Sequence, residues 1–135
     1  MGFVEAIQHV FRNYANFSGR ARRSEYWWFT LFNSLVSGAL ARLSQGGNGP
    51  ALFTALASLW SLALFLPGLA LCWRRLHDIG KSGANWFWVF LPLVGWILLL
   101  VWMIRDGTAG PNQYGPDPKN PDVVYTSAER PPWQN

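Results

Sequence analysis

The sequence predicts an all-α integral membrane protein with three transmembrane helices and an N-terminal amphipathic interfacial helix. Half of the 135 residues are hydrophobic, and only 13% are charged, about half the charged fraction of an ordinary soluble domain. Long stretches contain no Asp, Glu, Lys or Arg, and nine tryptophans supply a residue type that concentrates at membrane interfaces. These observations argue against a disordered chain and against an ordinary soluble globule.

Three apolar segments predict the spans. Residues 51–73 and 86–104 each supply about 20 apolar residues, enough for a helix to cross the hydrocarbon core of a bilayer. Residues 26–43 are more polar, so this span requires Arg42 to reach the headgroups from its end. A soluble protein of this size could not bury three such helices. Residues 19–106 are therefore predicted to form a three-span membrane domain.

Residues 1–18 are predicted to form the amphipathic helix. Apolar residues recur there at steps of three and four, at Phe3, Ile7, Val10, Tyr14 and Phe17. Such a helix lies in the plane of the membrane interface. The alternative is that its apolar face packs on protein, either on its own bundle or on a partner.

The two ends of the chain are predicted to lie on opposite sides of the membrane. Basic residues concentrate before the first span and in the loop after the second, so the positive-inside rule places the N-terminus in the cytoplasm. Three spans then place the C-terminus outside. Residues 107–135 form a polar tail rich in Pro and Gly, and composition alone predicts an extended or disordered segment.

Two short segments concentrate the charge, GRARRSEYWWF at residues 19–29 and RRLHDIGKSG at residues 74–83. If the second helix continues past the membrane, Arg74, His77 and Asp78 share one of its faces, and Arg74 can pair with Asp78. The simplest interpretation is that these arginines only fix the orientation of the protein in the membrane. A second interpretation is a site for an anionic headgroup, and a third is an enzyme with His77 as acid or base and Asp78 as its orienting partner.

The headgroup interpretation assigns two roles. The cations that would hold the headgroup are Arg20, Arg22, Arg23, Arg74, Arg75 and Lys81. The residues that would orient these cations or relay protons are Glu25, His77 and Asp78.

Other chemistries find little support in the sequence. The single cysteine, Cys72, excludes an internal disulfide, and its spacing from His77 and Asp78 is not that of a metal site. We expect no catalytic residue, metal or cofactor. Nucleic acid is a poor fit because the basic residues lie close to the predicted spans. The expected partners are membrane lipids, anionic ones included, and a protein partner or a second copy of the chain.

The two charged runs, together with GTAGPNQYGPDP at residues 107–118, resemble the small bacterial inner-membrane family called domain of unknown function 805. The resemblance covers residues 11–118, with a departure at Ala84-Asn85, where the family tends to have aromatics sooner. It implies a compact multi-span helical protein of the bacterial inner membrane, and it supplies no activity or ligand. It also raises a second hypothesis for the tail, in which these residues fold back on the bundle: Arg105, Asp106, Asn112, Tyr114 and Asp117.

The sequence thus favours a non-enzymatic interaction protein, either an accessory subunit of a membrane assembly or a homo-oligomer. Small size, exposed helical faces and the lack of a convincing catalytic constellation support this hypothesis. The alternative is a module that binds anionic lipid headgroups or transports a lipid phosphate through the charged cluster.

Overall fold

The computed structural model describes residues 2–119, and all the regular elements in this part of the chain are helical. Residues 120–135 of the predicted tail lie outside the described residues. The four α-helices are α1 (Phe3–Arg12), α2 (Arg23–Ser44), α3 (Ala51–Asp78) and α4 (Val94–Ile104). Two 3₁₀ helices, Gln45–Gly47 and Gly83–Phe90, lie between α2 and α3 and between α3 and α4.

The helices α2 and α3 form an antiparallel hairpin. They contain 22 and 28 residues, which makes them about 33 and 42 Å long. Gln45 ends α2 in the left-handed conformation, within the short turn that the run of small and polar residues predicts. Of the described helices, α3 alone combines the length and the mean hydropathy of a membrane span, and only 22% of its most apolar window is buried. The core helix of a soluble protein would be mostly buried.

The helix α1 packs its apolar face on α2. Ala6 and Val10 are completely buried, and the Phe11 ring meets Phe29 edge-on with the ring centroids 6.1 Å apart. Val4, at the edge of the apolar stripe, stays 64% exposed. The structure therefore corresponds to the predicted alternative in which this face packs on the protein's own bundle.

The third apolar segment is not the continuous helix that the sequence predicts for residues 86–104. The 3₁₀ helix Gly83–Phe90 is followed by a turn at residues 91–93 and then by α4. With 11 residues, α4 is about 16 Å long, roughly half the thickness of the hydrocarbon core. The prediction of a continuous helix over residues 86–104 is wrong.

The 3₁₀ helix and α4 instead form a short hairpin that enters and leaves at one end of the bundle. Trp96 Nε1 donates to the carbonyl of Val89 at 2.8 Å and ties the two arms together. The first arm begins directly after α3 ends. The second arm ends where α2 begins, because Trp27 Nε1 donates to the carbonyl of Met103 at 3.1 Å.

Proline and glycine explain the turn between the two arms. Pro92 lacks an N–H donor and disfavours a helical conformation at Leu91, which is extended here. Leu93 has φ +67°, and the N–H of the next residue donates to the Pro92 carbonyl at 2.8 Å, forming a strained γ-turn. A Cβ on Gly95 would lie 1.8 Å from the Trp88 carbonyl oxygen, so the two arms approach this closely only with glycine there.

Candidate functional site

Three segments that are distant in the sequence meet at one end of the bundle. They are residues 19–25, residues 74–78 at the end of α3, and residues 105–117. Because a buried charge is costly unless it is paired, each buried charge here requires a partner. The polar side chains that are less than a tenth exposed at this end, which we call the polar junction, are Arg20, Glu25, Arg74, Arg75, His77, Asp78, Asn112 and Asp117.

Asp78 lies at the centre of the polar junction between two arginines. Arg20 Nη2 lies 2.9 Å from its Oδ1 atom, and Arg75 Nη1 lies 2.8 Å from its Oδ2 atom. All three side chains are at most 2% exposed. Burial raises the pKa of the Asp78 carboxyl, and the two guanidinium groups oppose that shift.

Glu25 forms a second buried pair at the start of α2. Its Oε1 atom accepts from Arg74 Nη1 at 3.1 Å and lies 2.7 Å from His9 Nδ1. The predicted pairing of Arg74 with Asp78 is therefore wrong. Arg75, three residues before Asp78, forms the ion pair with the Asp78 carboxylate instead. Sequence reasoning missed His9, since only the packing of α1 on α2 brings it to Glu25.

The tail folds back on the bundle up to the end of the described residues. Arg20 donates to the carbonyls of Gly110 at 2.7 Å and Thr108 at 2.5 Å, and Asn112 Nδ2 donates to the carbonyl of His77 at 2.9 Å. A Cβ on Gly107 would lie 2.1 Å from the carboxylate of Asp78, so glycine permits this close approach. The composition-based prediction of an extended or disordered tail is wrong for residues 107–119, and the fold-back hypothesis is correct there.

Two arginines also bind the last carbonyls of α4. Arg75 Nη2 donates to the carbonyls of Met103 at 3.4 Å and of Arg105, and Arg23 Nη1 donates to the carbonyl of Ile104 at 3.1 Å. The last carbonyls of a helix have no partner within the helix and carry partial negative charge. These contacts hold α4 against the end of the bundle.

His77 and Asp78 do not form the predicted acid–base pair. His77 Nδ1 lies 2.9 Å from the carbonyl of Gly19, an acceptor that requires the proton to be on this nitrogen. The imidazole stacks on Tyr114 with the ring centroids 3.9 Å apart, and burial lowers the His77 pKa below its usual 6.5. The enzyme interpretation requires the Asp78 carboxylate to orient His77, but this carboxylate is bound to Arg20 and Arg75 instead.

The remaining predicted cations lie at the edge of the polar junction. Arg22 is partly exposed, and Arg23 is exposed. Lys81 Nζ lies 4.7 Å from the centroid of the Trp102 ring, which is a cation–π contact. The structure thus brings all nine predicted site residues to one end, but Arg20, Arg74 and Arg75 are buried against protein acceptors.

Some buried donors at this end have no acceptor among the described residues. They are Nε of Arg22, Nε and Nη2 of Arg74, and Nε of Arg75, together with the hydroxyl of Ser24. The helix α2 starts at the same place without a side-chain cap. The polar junction therefore has more donor groups than protein acceptors.

The comparison with known proteins finds the family that the sequence motifs resemble. Residues 14–116 match the family described as "Protein of unknown function (DUF805)". The chain belongs to the DUF805 family. In Escherichia coli (strain K12), "Inner membrane protein YhaI" is 52% identical over 110 residues, covering 82% of this chain and 92% of the relative. "Inner membrane protein YhaH" of the same strain is 41% identical over 118 residues, covering 82% and 93%. No solved structure matches this chain.

The part of the chain that matches DUF805 includes every residue of the polar junction except Asp117. It begins after α1, so His9 lies outside it. The predicted family is confirmed, as are the helical class and the placement among bacterial inner-membrane proteins.

The polar junction of this DUF805 protein brings together segments from the two ends of the described chain. Arg20 binds Gly110 and Thr108 directly, so the segment before α2 and the tail up to residue 119 lie at the same end of the bundle. The hairpin at residues 83–104 accounts for this arrangement, because it returns the chain to the end where α2 begins. The predicted placement of the two termini on opposite sides of the membrane stays a prediction, and the C-terminus lies outside the described residues.

The chemistry available at the polar junction is ionic and structural. Among residues 2–119, no group of three His, Cys, Asp or Glu side chains could hold a metal ion. The arrangement joins α1, α2, α3, α4 and the tail through charge-assisted hydrogen bonds.

Proposed function

We propose that this DUF805 protein is a non-enzymatic interaction protein of the inner membrane, acting as a subunit of a larger helical assembly or as a homo-oligomer. The observation that carries the proposal is that protein acceptors already bind the central charges of the polar junction. An exposed apolar surface remains on the half of the α2–α3 hairpin beyond the reach of α4. Its exposed leucines are Leu35, Leu43, Leu52, Leu56, Leu59 and Leu62.

A two-helix hairpin has few neighbours to pack against in lipid. Helices in a bilayer associate through van der Waals packing and interhelical hydrogen bonds. Further helices from a second chain would supply that packing along the distal half of α2 and α3.

Native mass spectrometry on gently extracted protein tests this proposal. We expect a mass that contains a second polypeptide or a second copy of the chain. A monodisperse monomer in several mild detergents would contradict the proposal.

The proposed membrane arrangement has two spans, α2 and α3, with residues 83–104 as a re-entrant hairpin. We propose that the polar junction faces the cytoplasm, with α1 at that surface and the tail on the same side. The support is charge asymmetry, because Arg42 is the basic residue at the opposite end of the hairpin while the other described basic residues surround the junction end or α1.

Labelling of single cysteines tests this arrangement. In a Cys72→Ser background, Asn48→Cys should react with a membrane-impermeant maleimide in intact spheroplasts, and Gln113→Cys should react only after lysis. Both positions are exposed in the structure. Labelling of Gln113→Cys in intact spheroplasts would refute the arrangement.

A second candidate function is anionic headgroup binding at the start of α2. It is favoured by the unpartnered Nε donor of Arg22 beside an uncapped helix N-terminus. The proposed contact residues are Arg22 and Arg23, with Lys81 at the edge, because these three cations are at least partly exposed whereas Arg20, Arg74 and Arg75 are buried. Arg22→Gln should then lower the retention of phosphatidylglycerol, whereas Arg42→Gln at the opposite end should not. Equal retention in both variants would rule out this candidate.

A further inference from the structure

A cavity of about 280 Å³ opens between the first half of α2, the second half of α3 and the 3₁₀ helix Gly83–Phe90. It begins beside the polar junction, at Tyr26 and Cys72, and extends along α2 as far as Ser34. Aromatic side chains, including Phe29 and Trp86, form part of its wall. The side chains of Asn33 and Ser34 add polar groups to a lining that is otherwise mostly apolar.

The orientation of the Asn33 amide follows from its neighbours. Trp60 Nε1 lies 2.8 Å from Oδ1 of Asn33, and the hydroxyl of Ser37 lies 3.2 Å from the same atom. Because an indole N–H only donates, the amide must present its oxygen to Trp60. The NH₂ group of Asn33 then keeps two donors, and no acceptor for them is found among residues 2–119. An unpaired donor in a bilayer is costly, so this group favours a ligand that accepts a hydrogen bond.

The depth of Asn33 restricts the ligand. It lies ten residues after Arg23, the first residue of α2, which is about 15 Å along the helix and near the middle of a hydrocarbon core about 30 Å thick. Phosphates and ester groups of bilayer lipids lie at the surface, and a charged group at this depth is costly. This step rests on the proposed arrangement in which α2 spans the membrane.

We propose that the cavity binds a neutral, membrane-dissolved carbonyl compound of the quinone class. A ring carbonyl accepts a hydrogen bond from the Asn33 NH₂ group, and the ring lies against Trp86. The volume is at the lower end of ligand pockets, which suits a ring and excludes a whole phospholipid. The hydrocarbon chain of the ligand leaves through the open side of the cavity into the bilayer.

Two matched glycine substitutions test the proposal. Gly68 lines the cavity, and a Cβ there meets nothing within 4 Å, so the side chain of Gly68→Leu has room to begin and should occupy the cavity. Gly38 in α2 is equally unobstructed and does not line the cavity, which makes Gly38→Leu the control. Both substitutions replace a helical glycine by a better helix former, so we expect both variants to fold, and circular dichroism checks this.

The measurement is native mass spectrometry of the full chain in dodecyl maltoside with added decylubiquinone. We expect one bound quinone per chain, binding at least tenfold weaker in Gly68→Leu, and unchanged binding in Gly38→Leu. Asn33→Ala should weaken binding by up to about tenfold, the effect of one hydrogen bond. Decylbenzene, which has a ring and a chain but no carbonyl, should not bind.

Several results would overturn the inference. They are the absence of quinone binding, equal binding in wild type and Gly68→Leu, and binding of decylbenzene as strong as that of the quinone. A phospholipid that is retained by wild type and lost in Gly68→Leu would assign the cavity to an acyl chain instead. The assembly mass and the cysteine labelling report on the proposed function separately, so its failure is distinguishable from failure of the quinone site.

Discussion

Replacing Asp78 by Asn tests whether the polar junction holds the fold together. The substitution keeps the shape of the side chain and removes the charge between Arg20 and Arg75, whose nitrogens lie 2.9 and 2.8 Å from its carboxylate. One such pair is worth about 4 kcal/mol at 4 Å and an effective dielectric constant of 20, and breaking a buried ion pair costs about 3–5 kcal/mol. We expect a loss of about 3 kcal/mol, because both arginines keep their bonds to backbone carbonyls.

The assay is equilibrium unfolding in mixed micelles of dodecyl maltoside and sodium dodecyl sulfate, followed by circular dichroism. Asp106→Asn is the matched control, because Asp106 pairs with Lys119 at the surface, where 59% of its side chain is exposed. This control should lose less than about 1 kcal/mol. If Asp78→Asn proves as stable as Asp106→Asn, the polar junction is not what holds the described segments together.

Three further predictions concern the tail, the membrane interior and pH. Gly107→Val should displace the tail from Asp78, because a side chain at this position would meet the carboxylate. Tryptic cleavage between α4 and the tail should then become about tenfold faster. An unchanged digestion rate would contradict the docking of the tail on the bundle. Trp60→Phe removes the hydrogen bond to Asn33 and should cost about 0.6–1.7 kcal/mol in the same micelles, so a loss above about 3 kcal/mol would show that more than this bond is involved. Because burial lowers the His77 pKa, the folded state binds fewer protons than the unfolded state below about pH 6.5, and stability falls as the pH drops through that range. In His77→Gln this part of the pH dependence should disappear, and an unchanged pH profile would assign it to another group.

The sequence predicts the position of the charged groups well and their pairing poorly. The two basic runs flank apolar segments, so their meeting at one end follows from an antiparallel pair of helices. The choice of partner depends on side-chain direction at that end. Arg74 faces Glu25 on α2, while Arg75 reaches Asp78 one turn further along α3, and helical spacing alone permits either arginine to reach Asp78.

Hydropathy could not predict the hairpin at residues 83–104. Residues 86–104 are long and apolar enough to cross a bilayer, and hydropathy measures affinity for lipid rather than the direction of the chain. Pro92 signals a break, although transmembrane helices also tolerate proline. Gly95 permits the close approach of the two arms at the Trp88 carbonyl, but glycine is also common in transmembrane helices, so neither residue alone predicts the turn.

The tail is a second case in which the sequence composition alone gives a wrong structural prediction. A segment rich in Gly and Pro cannot build its own core. This one has no need of a core, because its backbone carbonyls serve as acceptors for Arg20.

The contacts of Arg20 also impose an order on the biogenesis of the protein. Gly110 is 90 residues further along the chain than Arg20, and at about 5–20 residues per second the ribosome needs roughly 5–18 s to synthesise that interval. During this time α2 and α3 emerge while the guanidinium still lacks its carbonyl partners. A chain that stops before residue 108 lacks both of these carbonyls, so its Arg20 keeps only the contacts to Asp78.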